Sequence, residues 1–195
     1  MKNKEIQEER VRSYFIDATK QLLKGEGLKV VNVRNIADRA GYSFATLYTY
    51  FKDVKDLIFE CVKDFQDECT EFVESETKLL PSGVEKIKSI TKAYVKYFIQ
   101  YPGIFELFFI EKTRDIAHKQ PTIEMIYTFL NRLCASEWDY CVENSLIDTK
   151  KSEVMKNQLN YVITGLLFLY INRRHPADYK EFNRLLNEQL DNIFA

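Results

Sequence analysis

Residues 33–51 read VRNIADRAGYSFATLYTYF, and their spacing decides the fold. Ala37 is small, as a side chain must be where one helix crosses close over another. Gly41, four residues on, can take the positive φ of a tight turn at no steric cost. Leu47, six further, anchors a second helix in a core. This spacing predicts a helix-turn-helix: two short helices about a turn at Gly41. Asn32 is placed to cap the first helix and Ser43 the second, each offering an oxygen to the orphan N–H groups of a first turn.

The outward side of the second helix follows from its period. At 100° per residue Leu47 and Phe51 share the inner face, while Ala45, Thr49 and Lys52 project opposite, with Thr46 and Tyr48 on the flanks. That outward set holds no Asn, Gln or Arg, so bidentate reading of adenine or guanine edges from the helix is scarce. Base readout then leans on thymine methyl contacts from Ala45 and the threonine methyls, on hydroxyl bonds, on Lys52 and on Arg34. Phosphate anchoring falls to Asn32, Ser43, Thr46, Tyr48, Tyr50, Lys52 and Lys55, contacts that orient a protein without reading sequence. Tyr50 leans inward, and packing against the first helix explains it equally well. Lys2, Lys4, Arg10 and Arg12 are candidates for a loose backbone clamp. For Lys2 and Lys4, a solvated helix start with Glu5, Glu8 and Glu9 interspersed is the better account.

Charge supports a polyanionic partner for this end of the chain. The 195 residues carry 28 Lys+Arg against 29 Asp+Glu, yet residues 1–55 hold 11 against 7, which leaves 17 against 22 for the remainder. A basic head precedes an acidic body. Six glycines and four prolines are few for this length, which disfavours turn-rich β folds, and 14 Phe with 12 Tyr exclude a disordered chain.

Beyond the head the periodicity stays helical. Val11, Tyr14, Phe15, Ala18, Leu22 and Leu23 form one apolar stripe, and Leu57, Ile58, Cys61, Val62, Phe65, Cys69 and Phe72 a second. Val84, Ile87, Ile90, Tyr94, Tyr97, Phe98 and Tyr101 form a third, and Tyr179, Phe182, Leu185, Leu186, Leu190 and Ile193 a fourth. No period-2 run of useful length interrupts them. The expected fold is all-α: an N-terminal three-helix DNA-binding domain at 1–53, then a larger helical domain at 54–195, to which the family resemblance given below assigns effector binding and dimerisation. Residues 162–171, VITGLLFLYI, are apolar on every side and need cover on every side. The helices around 155–174 and 178–194 are therefore the expected homodimer surface, the other reading being a central core helix in a monomer.

The stretch IADRAGYSFATLYTYFKDVKDLI, residues 36–58, resembles the TetR-family signature. In that signature an Ile-Ala helix, a Gly turn and a (Gly/Ala)-Thr-Leu-Tyr-x-Tyr-Phe recognition helix lead into a long fourth helix. The resemblance covers Arg12 to Phe59, and the Tyr-Pro-Gly-Ile-Phe of residues 101–105 is similar to the family's start of its sixth helix. It implies DNA backbone contacts at Tyr48 and Tyr50, a homodimer, and a repressor released from operator DNA by a small molecule. Two departures stand out. Asp53-Val54-Lys55 replaces the usual Ser-Lys-Glu, so the lysine that often touches phosphate is Val54 here and Lys52 or Lys55 must substitute. Position 45 is Ala where Gly is commoner.

A long helix from about Val54 to Ser75 is expected to lead from head to body. An effector pocket is expected among the helices of Val84–Tyr101, Ile104–Arg114 and Thr122–Val142, where Tyr94, Phe98, Phe105, Phe108, Phe109 and Tyr127 crowd. These suit an apolar, largely aromatic ligand, though aromatic stripes are also ordinary core. Glu106, Glu111 and Arg114 are near enough in sequence to orient a charged group there, but solvated helix-surface charges are the better account of each. His118 falls beside Lys119 and Pro121 in an expected loop, and Trp138 reads as a packing residue.

The four cysteines form no CxxC pair, and with only two histidines in the chain no metal or cofactor site is expected. They read as core residues of a cytoplasmic protein, with a redox-sensing pair the lesser reading. The charged N-terminus is unlike a secretory signal, and the apolar run at 162–171 is half a membrane span. An enzyme would need a nucleophile with its base, a metal cluster or a glycine-rich phosphate loop, none of which the motifs supply. The remaining alternative is an all-α interaction protein of TetR-like fold with weakened DNA binding or no effector.

Overall fold

The protein is described by a computed structural model covering residues 2–110, 116–172 and 175–195. Its α-helices are α1 (Lys2–Gly25), α2 (Val33–Ala40), α3 (Phe44–Tyr50), α4 (Val54–Thr77), α5 (Val84–Gln100) and α6 (Pro102–Phe109). They continue as α7 (Ile116–Tyr127), α8 (Phe129–Leu133), α9 (Ala135–Glu143), α10 (Thr149–Ile171) and α11 (Tyr179–Phe194). No strand occurs among the described residues. The chain is all-α, with the helix-turn-helix near its start. It divides into two compact units, Met1–Glu68 with Tyr101–Ile126, and Cys69–Gln100 with Tyr127–Ala195.

In the first unit the stripe of α1 does what its period predicts. Phe15, Ala18 and Leu22 close on Ile36, Ala37, Leu47, Phe51 and Leu57 in one buried cluster. Each fully buried side chain of this size contributes about 1.5–3 kcal/mol of hydrophobic stabilisation. Tyr14, in the same stripe, instead stays half exposed and stacks on Tyr42 with ring centroids 6.1 Å apart.

A ladder of ion pairs runs beside this core from α1 to the first half of α4. Arg12 bonds Glu60, Lys20 lies 3.1 Å from Asp64 and 3.0 Å from Glu68, and Lys24 also bonds Glu68. Burial alone would raise the Glu68 carboxyl, but hydrogen bonds from Lys24 and Lys20 outweigh it and hold the group below its ordinary value. Arg12 also lies over the Phe51 ring at 5.1 Å. Its guanidinium thus has both a carboxylate and a ring as partners within the unit. Lys4 pairs within its own helix, 3.9 Å from Glu8.

The Pro-Gly start of α6 has a packing reason. Pro102 occupies the first helical position, where its missing N–H costs nothing. A Cβ on Gly103 would sit 2.2 Å from the Leu23 carbonyl oxygen and 2.8 Å from the Gly27 Cα, so only glycine lets α6 approach the end of α1 this closely.

The second unit is built on Tyr94, Phe98, Phe129, Trp138, Leu159, Ile163, Leu167, Phe182, Leu186 and Leu190, all buried. Trp138 is the packing residue it reads as, stacked on Phe194 at 5.5 Å. Buried Glu137 ties the α4–α5 turn down by accepting from the Gly83 N–H at 3.0 Å and pairing with Lys86 at 2.9 Å. All four cysteines are free and buried, as core residues should be, and burial pushes the Cys61 and Cys134 thiols up to about 12.

Two expectations are corrected. His118, Lys119 and Pro121 do not lie in a loop but inside α7. Pro121 is the sixth residue of α7: its fixed φ fits the helix, while its missing N–H forfeits one hydrogen bond and its ring crowds the carbonyl four residues back. The segment Thr122–Val142 is not one helix but three, α7, α8 and α9, broken at Thr128 and Cys134.

Candidate nucleic-acid interface

The head is built as its sequence requires. Asn32 Oδ1 accepts from the N–H groups of Arg34 at 3.1 Å and Asn35 at 3.0 Å, closing the first turn of α2. Gly41 ends α2 at φ 77°, ψ 24°, and its N–H turns back to the carbonyls of Ala37 and Asp38. Ser43 Oγ accepts from the Thr46 N–H at 3.1 Å and opens α3. Ala37 and Leu47 are buried at 3% and 0% exposure, holding the two helices to α1. Asp53, which the sequence reading left unassigned, caps α4 by accepting from the Asp56 N–H at 2.8 Å.

With Leu47 buried, one side of α3 faces outward. Ala45, Tyr48 and Thr49 are exposed, as are Arg34, Lys52 and Lys55, while Thr46 and Tyr50 are half-buried. Thr49 Oγ1 donates to the Ala45 carbonyl at 3.3 Å, which satisfies the hydroxyl and leaves the methyl as its apolar contact group. The Tyr50 ring lies 6.4 Å from Phe15, in keeping with the packing role its inward lean suggests. Asn32 uses its other side-chain atom as well, donating from Nδ2 to the Val30 carbonyl at 3.2 Å. Arg39, also exposed, pairs with Glu26 at 2.7 Å. Val54 packs half-buried against the α1–α3 cluster, and Lys52 and Lys55, on either side of it in the sequence, are exposed.

This is the geometry of a helix-turn-helix whose second helix is free to enter a groove. Residues 15–61 match the family model for bacterial regulatory proteins, tetR family. The chain carries a TetR-family head. Solved structures similar over nearly the whole chain share its all-helical fold. The transcriptional regulator FadR from Bacillus subtilis, in complex with stearoyl-CoA, has a TM-score of 0.73 at 16% identity, covering 94% of this chain and 97% of that one. The fatty acid degradation regulator FadR from Bacillus halodurans has 0.68 at 16%, covering 95% of each chain. A TetR family transcription regulator from Marinobacter aquaeolei VT8 has 0.61 at 17%, covering 98% and 97%. No curated protein matches the sequence.

The six aromatic candidates for an effector site fall in different units. Tyr94 and Phe98 pack edge to face at 4.8 Å in the second unit, with Phe129 5.8 Å from Tyr94. Tyr127, in that unit too, is 43% exposed and donates its hydroxyl proton to the Tyr161 hydroxyl at 2.9 Å. Phe105, Phe108 and Phe109 belong to the first unit, where Phe105 and Phe109 lie 4.9 Å apart. Glu111 and Arg114 lie outside the described residues. Among the described residues no cluster of His, Cys, Asp and Glu could hold a metal, and no helix is long and apolar enough to cross a membrane.

One outward side chain of α3 escaped the helical-wheel reading. Phe44 is 64% exposed, more than any other large apolar residue of the head. The wheel places it 60° from Leu47, on the inner half. Helical side chains, however, lean toward the N-terminus, and for Phe44 that means over the Gly41–Ser43 turn rather than over a core layer.

Proposed function

We propose that the protein is a homodimeric repressor that grips a two-fold symmetric operator with two helix-turn-helix heads and releases it when its body takes up a small apolar or aromatic molecule. The observation that carries the DNA half of this reading is the outward face of α3. With Leu47 locked inside and both short helices capped, Ala45, Tyr48, Thr49 and Lys52 are presented to solvent. In a major groove Ala45 and the Thr49 methyl meet thymine methyls, and Arg34 and Lys52 reach base edges or phosphates. Asn32, Ser43, Thr46, Tyr48, Tyr50 and Lys55 fix the register on the backbone. Residues 1–53 act as the DNA-binding domain and 54–195 as the body.

One head reads few base pairs, and two must lie about 34 Å apart on one side of the duplex. The side of α10 supports a second copy as the spacer. Its apolar run buries Ile163 and Leu167 but leaves Tyr161 at 63%, Phe168 at 38% and Leu169 at 40% exposure. Gly165 lies exposed among them with open space where a Cβ would point. Glycine inside a helix costs about 1 kcal/mol against alanine. A partner backbone approaching closely gives that cost a purpose.

For the effector, the aromatic side chains favour an apolar ligand, and the stearoyl-CoA bound by the Bacillus subtilis FadR adds long-chain acyl thioesters to the classes worth trying. A ligand that prefers one body conformation shifts the heads and lowers operator affinity by that preference. Selection of bound duplexes from a random pool is the test. The expected product is a two-fold symmetric site whose complex dissociates on adding an aromatic compound or an acyl-CoA. Enrichment of no duplex over competitor overturns the reading.

A further inference from the structure

We propose that Phe44 is a specificity-determining contact, its ring seated on the 5-methyl group of a thymine in each half-site. This rests on the regulator reading above and adds the base that α3 prefers. Phe44 and Tyr48 stand one turn apart on the same flank of α3, at 64% and 51% exposure. A benzyl side chain kept in water on a seven-residue helix gives this chain no packing return. Its chemistry also excludes the phosphate role open to the tyrosines, because it has neither donor nor charge. In a major groove one feature is apolar, the thymine methyl, and phenylalanine is among the side chains that read it.

The neighbouring residues point the same way. Ala45 and the Thr49 methyl continue an apolar strip beside Phe44, and Thr49 turns its hydroxyl back to its own helix. None of the three can hydrogen-bond a guanine or adenine edge through an amide or guanidinium. With Arg34 and Lys52 exposed nearby to meet phosphates, the occupant of this strip is a T-containing step of a polyanion rather than an uncharged apolar partner.

The test removes the methyl and nothing else. In the operator obtained by selection, each thymine is replaced in turn by uracil, and Kd is measured for the wild type and for Phe44→Ala. For the wild type, the thymine beneath Phe44 in each half-site loses about fourfold, the value of one buried methyl-sized group, and any thymine met by Ala45 or Thr49 responds separately. For Phe44→Ala that position becomes insensitive to the replacement, while the other positions respond as before. Phe44→Leu, which keeps an apolar side chain, retains part of the sensitivity. The thermal midpoint of Phe44→Ala equals that of the wild type, since the ring lies outside the core. Equal uracil sensitivity of wild type and Phe44→Ala at every position overturns the assignment, and so does a lowered midpoint that restores Phe44 to a packing role. A wild type that selects no duplex removes the regulator reading and this contact with it, an outcome distinct from both.

Discussion

α3 and α10 both leave apolar side chains in water, in opposite electrostatic settings. On α3 the exposed Phe44 and Tyr48 have Arg34, Lys52 and Lys55 exposed close by in the sequence. On α10 the exposed Tyr161, Phe168 and Leu169 lie in a stretch, residues 157–172, without a single charged side chain. Apolar groups among cations suit a partner that is anionic outside and apolar at its edges, as a DNA groove is. Apolar groups without charge suit another apolar surface, such as a second copy of the same helix. The helices also differ in what holds them. Seven residues are too few to stay helical alone, so α3 depends on its caps and on Leu47, whereas α10 has 23 residues.

The largest effect is expected on α10. Leu169→Glu puts a charge into the uncharged face without touching the core. The variant sediments as a monomer, and operator affinity falls by about 10²–10⁴, the usual value of tethering two sites. A variant that stays dimeric, or binds operator undiminished, removes α10 from the interface and the contrast with it. Next comes the anchor of α3. Leu47→Ala empties a fully buried site and is expected to cost about 2–5 kcal/mol in calorimetric stability of the head. Phe168→Ala on the partly exposed side of α10 removes more atoms yet is expected to cost the isolated chain less, about 1 kcal/mol. Equal costs would mean that the two faces are not differently supported.

How much of this was legible beforehand depends on how local each feature is. The α2–turn–α3 geometry was readable because Asn32, Gly41, Ser43 and Leu47 act within a few residues of themselves, through caps, a positive φ and a helical period. The loop expected around His118 does not form because proline's φ is itself helical, and α7 continues through Pro121 despite a lost hydrogen bond and a crowded carbonyl. Phe44 was missed for a geometric reason: a helical wheel assumes a core beneath every turn, whereas side chains of a first turn lean back past the helix start. The exposed side of α10 was half legible. Its sequence demanded cover on all sides, but how little of that cover the chain itself supplies required coordinates.

A smaller and more discriminating effect follows from the caps. Ser43 opens α3 and Asp148 opens α10, the latter accepting from the Lys150 and Lys151 N–H groups at 2.9 and 3.2 Å. Replacing either by alanine is expected to cost about 1 kcal/mol of stability. The consequences for DNA differ. Fraying the first turn of α3 disorders Phe44, Ala45 and Thr46, so Ser43→Ala weakens operator binding severalfold, while Asp148→Ala leaves it unchanged. Ser43→Gly separates capping from contact, since glycine restores most of the cap without a hydroxyl. Affinity returns with Gly if Ser43 serves only as a cap, and stays low if its hydroxyl also meets a phosphate.

The smallest effect bears on the cations that set α3 apart. Val54 is half-buried against the core cluster, so on the proposed DNA-binding reading the phosphate contact at this corner falls to Lys52 or Lys55. Lys55→Ala is expected to reduce the slope of log affinity against log salt by about 0.9, which is a difference of about three- to fourfold between 50 and 200 mM salt. The loss should be uniform across operator sequences, unlike that of a base-reading residue. Lys52→Ala, measured beside it, tells whether one lysine or both serve. Asp148→Ala, at the other helix, should leave the slope untouched. If neither lysine variant changes the slope, the charges around α3 are merely solvated, and nothing electrostatic then distinguishes its exposed rings from those of α10.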